Sequence, residues 1–209
     1  MSRRRYNWPE AVGYLHGRCE RLSGFIKEFG PRRLPIRSEG NLFKALTRAI
    51  AYQQLSGKAA ATIYGRFEQL FPDTRPGAQL AVRFSVQDLR GVGLSQAKSL
   101  SILDLAQKYL AGALPSPQKM GRMQDDEIIA SLCTVRGIGP WTAQMYLIFN
   151  MGRPDVMPAT DLGIQKGVRN IYRMRKLPTP DKVLQKTRHL KPFRSVASWY
   201  FWRASELPK

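Results

Sequence analysis

The chain has 209 residues, of which 43% are hydrophobic and 23% are charged, a balance typical of a folded globular protein and unlike that of a disordered chain. Lys and Arg number 34 against 15 Asp and Glu, and the resulting net charge of +19 favours a polyanionic partner, either nucleic acid or a membrane surface. With two cysteines and two isolated histidines, His16 and His189, the composition excludes a disulfide framework and a four-cysteine zinc or iron–sulfur site, and it argues against zinc catalysis.

The first part of the chain is predicted to form three helices. Ser2–Arg5 is basic, but no apolar segment follows it as in a signal peptide, and no apolar run approaches the roughly 18 residues that span a bilayer. Apolar residues then recur at helical spacing over 10–29, 41–55 and 57–71, and Gly30-Pro31 ends the first of these helices. We therefore expect a cytoplasmic protein that does not insert into a membrane.

The helical pattern continues to the carboxyl end. Ser85 opens a short helix with a capping-box pattern, and Ser95 opens the next helix, whose inward face we predict to carry Leu100, Leu103 and Leu110. Later helices are predicted over 125–133, 140–150, 161–172, 180–189 and 192–206. Because no long stretch alternates like a strand, the sequence predicts an all-α chain of about ten short helices.

The segment 135–143, between two predicted helices, holds the most informative motif. Gly137 and Gly139 flank one apolar residue, Ile138, so the chain can turn tightly with positive backbone angles while Ile138 packs beneath the turn. Pro140 suits the first turn of the next helix, and unpaired amides at a helix N-terminus bind phosphate. The alternative is a plain helix–turn–helix with glycine caps. Leu89–Leu94 is a looser copy, either an interhelical turn or a second backbone contact.

Asp161 follows the second helix of this hairpin. Pro158 makes the residue before it extended, which places Asp161 at or beside the start of a helix. An aspartate there is usually a helix cap. The partial positive charge of the helix N-terminus also favours an ionised carboxylate, which can stabilise developing positive charge or position a water molecule.

The hairpin, Trp141 and Asp161 together resemble the HhH-GPD superfamily of DNA base-excision glycosylases. The similarity is greatest to its alkylpurine branch, and three further stretches carry it: Ile50–Ala60, Gly93–Lys98 and Arg194–Trp199. It covers roughly residues 10 to 205, with the motifs in the same order. The resemblance implies the two-lobed all-α helix-hairpin-helix (HhH-GPD) fold, with the active site in the cleft between the lobes.

The same resemblance implies one catalytic module over residues 1–209. Lobe one is expected to be contiguous, at about 42–150, and to include the hairpin at 135–139. Lobe two is expected to combine about 1–41 with 151–209.

The resemblance also implies roles for individual side chains. Asp161 matches the family's catalytic aspartate. Trp141 and Trp202 match aromatics that line the base pocket, where a flipped cationic purine would stack on an electron-rich ring. Met145 replaces a pocket tyrosine found in some relatives. The alternative for both tryptophans is core packing.

Two further features are implied near the hairpin. Gln54 and Leu55 lie in the segment that corresponds to the family's wedge, which fills the gap left by the flipped nucleotide, although Leu55 also fits the apolar face of its helix. The carbonyl oxygens of Cys133, Val135 and Ile138 match those that hold a monovalent cation against a DNA phosphate. We expect no required cofactor, and the resemblance implies only a structural sodium or potassium ion at the hairpin when DNA is bound.

The activity implied is that of a monofunctional N-glycosylase that removes alkylated purines from double-stranded DNA and leaves an abasic site. Relatives that also cleave the strand use a hairpin lysine to form a Schiff base, and Trp141 stands at that position here. We expect a monomer. The alternatives are a non-catalytic hairpin protein that binds DNA and a glycosylase for another damaged base.

Overall fold

The structure is a computed structural model, and it describes residues 6–30, 32–37 and 41–206. The basic run Ser2–Arg5 and Pro31 lie outside the described residues. Within those ranges the chain forms thirteen α-helices and two 3-10 turns and contains no strand, which confirms the all-α prediction. The helices are α1 Trp8–Arg18, α2 Glu20–Phe29, α3 Leu42–Tyr52, α4 Gly57–Glu68, α5 Ala78–Ala81, α6 Val86–Gly91, α7 Gln96–Leu110, α8 Pro117–Met120, α9 Asp125–Leu132, α10 Pro140–Phe149, α11 Leu162–Ile171, α12 Pro180–Thr187 and α13 Arg194–Ala204.

The helices belong to two compact units. One unit combines Met1–Ser38 with Leu147–Lys209, and the other is the contiguous segment Glu39–Tyr146. No helix in the described ranges is both long and apolar enough to cross a membrane.

In the first unit, α11 packs closely against α13. Gly167 makes this approach possible, because a Cβ at that position would overlap the main-chain carbonyl of Phe201. The loop before α11 is fixed to the start of α13 by an ion pair: the Arg194 guanidinium donates to both carboxylate oxygens of Asp155, at 2.7 and 2.9 Å. The N-terminal end of α11 is therefore held between a close helix contact and a bidentate ion pair.

The second unit is built around α3 and α7. Helix α3 packs against α4 and α7, and α5 also contacts α7. The core includes the fully buried Phe43, Ile50, Phe67 and Leu89. Ser85 forms the predicted capping box at the start of α6, and Ser95 caps α7 as predicted.

The prediction of one helix over 10–29 is wrong. Cys19 is extended (φ −151°, ψ 103°) and separates α1 from α2. The break costs little hydrogen bonding, because the Cys19 N–H still donates to the Leu15 carbonyl and the Cys19 carbonyl accepts from the Ser23 N–H. This break, together with the one-turn helices α5 and α8, accounts for the thirteen helices where about ten were predicted.

The predicted inward face of α7 is also wrong. Leu110 is exposed, Leu100 and Leu103 are only partly buried, and the buried positions are instead Ser99, Ser101, Ile102, Leu105 and Ala106. The two serines can be buried because each hydroxyl donates to a carbonyl of its own helix, Ser99 to Ser95 and Ser101 to Ala97. Apolar periodicity could not reveal a face whose small polar groups are satisfied locally.

Candidate active site

Asp161 is the N-cap of α11, as the sequence predicts. Its Oδ1 accepts the main-chain N–H of Ile164 at 2.9 Å and the indole Nε1–H of Trp202 at 3.0 Å. Both donors, together with the partial positive charge of the helix N-terminus, stabilise negative charge on this oxygen. Asp161 is nevertheless partly exposed to solvent. Capping therefore does not exclude a chemical role for the carboxylate.

The indole of Trp202 is fixed on both sides in the first unit. Its ring stacks on Phe149, with centroids 5.6 Å apart and an interplanar angle of 25°. On α11 it faces Gly163, where a Cβ would lie 3.0 Å from both Trp202 Cδ1 and Asp161 Oδ1. A glycine at this position leaves the space that the indole needs to reach the carboxylate.

In the second unit, the hairpin between α9 and α10 has the predicted form at most positions. Ile138 is buried, and Pro140 is the first residue of α10. Gly137 has a φ of +74°, whereas Gly139 is outside the left-handed region, so only one of the two glycines has the predicted positive angle. No group in the described part of the chain accepts a hydrogen bond from the amides of Gly137 and Gly139. Amides of this kind can bind an anion.

A charged pair on α7 holds the start of this hairpin. Asp104 Oδ2 accepts the main-chain N–H of Arg136 at 2.7 Å and the Lys108 ammonium at 2.8 Å, and Lys108 also donates to the Thr134 carbonyl. Burial alone would raise the pKa of Asp104. The hydrogen bonds and positive charges of Lys108 and Arg136 outweigh burial, so the pKa of Asp104 lies below its usual value.

Replacing Asp104 with asparagine is expected to lower the free energy of unfolding by about 1 to 2 kcal/mol at pH 7. A carboxylate whose pKa is lowered in the folded state stabilises the fold above its unfolded pKa of about 3.9, and this stabilisation disappears as the pH falls through the folded pKa. The wild type and the variant should therefore differ more at pH 7 than at about pH 3 in thermal unfolding curves. An equal difference at both pH values would contradict this role.

The turn after α3 is connected to the hairpin. The Gln53 side-chain amide donates to the Gly137 carbonyl at 2.9 Å and to Thr142 Oγ1 at 3.2 Å. Gln54 and Leu55 come directly after Gln53 in the chain. Both are exposed to solvent, Leu55 to 40% of its surface. That exposure rules out core burial for Leu55, which lies beyond the end of α3.

The other predicted residues lie in or just before α10. Trp141 is 41% exposed, so core packing is excluded for it, and Met145 is half-buried. The three carbonyls predicted to hold a cation are main-chain oxygens, a donor type that suits sodium or potassium. The Val135 oxygen accepts the Ile138 N–H and keeps a second lone pair for an ion. No group of three or more His, Cys, Asp or Glu side chains among the described residues could hold a metal.

The looser copy of the hairpin is a turn between α6 and α7. Leu89, Val92 and Leu94 are buried, and Gly93 has a φ of +102°. A Cβ on Gly93 would lie 3.2 Å from Ile63. The core beneath the turn therefore accounts for the motif.

Sequence reasoning missed several contacts that shape these sites. Gln53, Asp104 and Gly163 each act through a contact with a residue far along the chain, and no local pattern marks such contacts. Trp202 was predicted to line a pocket, but its bond to Asp161 joins residues 41 positions apart and was not predicted.

A known family and known proteins match most of this chain. The family described as "HhH-GPD superfamily base excision DNA repair protein" matches residues 47–192. DNA-3-methyladenine glycosylase 1 of Schizosaccharomyces pombe is 35% identical over 189 residues, which cover 90% of this chain and 82% of the relative.

Two solved structures are similar over almost the whole chain. The S. pombe 3-methyladenine DNA glycosylase Mag1 in complex with abasic DNA has a TM-score of 0.85 and 35% identity, over 95% of this chain and 97% of that one. A DNA-3-methyladenine glycosidase from Bacillus halodurans has a TM-score of 0.84 and 32% identity, over 94% and 89% of the two chains.

Proposed function

Because the chain belongs to the HhH-GPD superfamily of base excision DNA repair proteins, we propose that it is a DNA N-glycosylase that removes alkylated purines of the 3-methyladenine and 7-methylguanine type. The membership confirms the resemblance inferred from the sequence motifs. The names of the relatives support the enzyme class, and the abasic DNA bound by the S. pombe enzyme supports DNA as the partner, which we propose to be double-stranded. We infer that the protein acts as a monomer in the cytoplasm.

The observation that carries the proposal is the carboxylate of Asp161, held by two N–H donors and partly exposed at the N-terminus of α11. Breaking the N-glycosidic bond develops positive charge on the deoxyribose. A fixed carboxylate can stabilise that charge or position the water that attacks the sugar. The glycosidic bond breaks, the cationic purine leaves as a neutral base with the electron pair of that bond, and water adds to the sugar carbon and releases one proton to the solvent.

The exposed ring of Trp141 supports recognition of a cationic base. A flipped alkylated purine would stack on it with a cation–π contribution of about 0.5 to 2 kcal/mol. Met145, four residues further along α10, is proposed as a second base contact of that helix, and Trp202 as a base contact beside Asp161. Because an alkylated purine already carries positive charge, it leaves without protonation, and the reaction requires no strong general acid.

The DNA would be held by the second unit. The amides of Gly137 and Gly139 would bind a phosphate above the buried Ile138, with a sodium or potassium ion on the carbonyls of Cys133, Val135 and Ile138. Gln54 and Leu55 would fill the gap left by the flipped nucleotide, which offsets the cost of unstacking.

We propose that the enzyme does not cleave the DNA strand. A glycosylase that also cuts the strand forms a Schiff base through a lysine, and Trp141 stands at the position of that lysine. The product would then be an intact strand with an abasic site.

The test is to incubate the wild type with methylated duplex DNA and to treat the product with heat or alkali, which breaks the strand at abasic sites. Release of methylated purines, with breaks only after that treatment, is expected. Breaks without treatment would contradict the monofunctional assignment.

The rival functions give different outcomes in the same experiment. A glycosylase for another base would release ethenoadenine, hypoxanthine or an oxidised base but no methylated purine. A non-catalytic DNA-binding protein would bind every duplex and release no base from any of them.

Replacing Trp202 with phenylalanine is expected to lower the single-turnover rate of base release about tenfold. The phenyl ring can still stack on Phe149, but it cannot donate the hydrogen bond that orients Asp161. The measurement is the single-turnover rate at saturating enzyme.

Trp199→Phe is the matched control for this change. Trp199 lies on the same helix, and its indole N–H donates to the Arg32 carbonyl at 2.9 Å rather than to a carboxylate. This control should lose stability by a similar amount and keep its rate of base release. Equal rate losses in both variants would show that Trp202 acts only through the stability of α13.

A further inference from the structure

Lys98 belongs to a motif, Gly93–Lys98, that the proposed function leaves unused. Ser95 caps α7 by accepting the Lys98 main-chain N–H at 3.3 Å, which places the lysine in the first turn of the helix. This is the unfavourable end for a cation, because the helix N-terminus carries partial positive charge. The side chain is also partly buried, and burial lowers the pKa of Lys98. A lysine at this position needs a compensating contact.

The compensation comes from two carbonyls at the end of α3. The Lys98 ammonium donates to the Ala51 carbonyl at 2.9 Å and to the Gln53 carbonyl at 2.8 Å. The last carbonyls of a helix lack partners within the helix, and a lysine often satisfies them. Capping alone would explain this contact if the residue after Gln53 had ordinary backbone dihedral angles.

The backbone of the next residue does not have ordinary dihedral angles. Gln54 has a φ of +54°, in the left-handed region that residues other than glycine rarely adopt. Such a conformation persists only where its surroundings fix it. Both the main chain and the side chain of Gln53 are fixed. Its carbonyl accepts from the Lys98 ammonium, and its side-chain amide donates to Gly137 and Thr142.

We propose that Lys98 is a positioning residue for the wedge of the proposed glycosylase. Its ammonium holds the Gln53 main chain, which keeps Gln54 in its left-handed conformation, and the Gln53 side chain ties the turn to the phosphate-binding hairpin. Phosphate binding at the hairpin and the position of the wedge are thereby coupled. This inference depends on the proposed function, because it assigns Gln54 to DNA opening.

The test compares excision from duplex and single-stranded DNA of the same sequence. Single-stranded DNA has no base pair to open and no gap to fill, so a positioning role for the wedge affects only the duplex reaction. At saturating enzyme, Lys98→Met is expected to lower the duplex rate about tenfold and to change the single-strand rate by less than about twofold. Equal losses on both substrates, or no loss on either, would overturn the proposal.

A matched control and a double variant sharpen this result. Lys58 is an exposed lysine in the first turn of α4, so Lys58→Met removes the same charge and should leave the ratio of the two rates unchanged. Asparagine adopts positive φ more readily than glutamine. The duplex penalty of Lys98→Met should therefore shrink in a Gln54→Asn background. An unchanged penalty would overturn the proposal, because it would separate Lys98 from the conformation of Gln54.

Two further readouts distinguish other failures. Thermal unfolding of each variant shows whether it is folded at the assay temperature. A wild type that releases no base from either substrate contradicts the proposed function and not the role of Lys98. That role is then measured from the fluorescence of 2-aminopurine in bound duplex, which should rise with the wild type and rise less with Lys98→Met. An equal rise with both proteins would overturn it.

Discussion

Asp161→Asn is expected to reduce the rate of base release at least about 100-fold, because a neutral amide cannot stabilise the positive charge that develops on the sugar. Asparagine caps a helix as well as aspartate does, and its oxygen can still accept from the Ile164 N–H and the Trp202 indole. The variant should therefore fold and bind DNA like the wild type. The measurements are single-turnover release from methylated duplex DNA and the dissociation constant for undamaged duplex.

Asp161→Ala separates the two roles of this carboxylate. Alanine removes the cap and leaves the Trp202 indole without its acceptor, so this variant should lose about 1 to 2 kcal/mol of stability as well as activity. An asparagine variant that keeps wild-type base release would exclude Asp161 as the catalytic group.

Gly137→Ala is expected to weaken DNA binding about 10- to 100-fold, as would the loss of one or two hydrogen bonds to a charged phosphate. Gly137 has a φ of +74°, and a Cβ there would overlap the Ser101 hydroxyl. Alanine must therefore either turn the Ser101 hydroxyl away from the Ala97 carbonyl or shift the hairpin relative to α7, at a cost of about 1 to 3 kcal/mol in stability. Affinity for a short duplex, measured at one fixed salt concentration, checks the prediction.

The hairpin contains its own control for this variant. Gly139 has open space where a Cβ would be and lies outside the left-handed region, so Gly139→Ala should change affinity much less. Adding Ser101→Ala to Gly137→Ala removes the closest overlap and should recover part of the stability. Similar affinities for the two single alanine variants would show that the geometry of Gly137 is not required for binding.

The hairpin was predictable because its determinants are local. The Gly-Ile-Gly spacing, a buried Ile138 and a proline at the start of α10 all follow from backbone preferences within a few residues. The same holds for Asp161. Pro158 makes the residue before it extended, so a helix is expected to start near Asp161, and an aspartate at a helix start is usually a cap.

The errors have a common physical origin in contacts between distant segments. The burial of Ser101 reflects its position against Gly137, and its hydroxyl is satisfied within its own helix, so hydrophobicity gave no signal. The bond between Trp202 and Asp161 depends on how closely α13 approaches α11, which Gly163 and Gly167 permit. Periodicity predicts which residues form helices but not how closely two helices approach.

The proposed double role of Asp161, as helix cap and catalytic group, has an evolutionary consequence. Codons for aspartate and asparagine differ by a single nucleotide, and asparagine preserves the cap that begins α11. One point mutation would thus convert a repair enzyme into a stable protein that still binds DNA but removes no base. Selection for folding cannot eliminate such a variant, so only selection for repair itself can maintain this carboxylate.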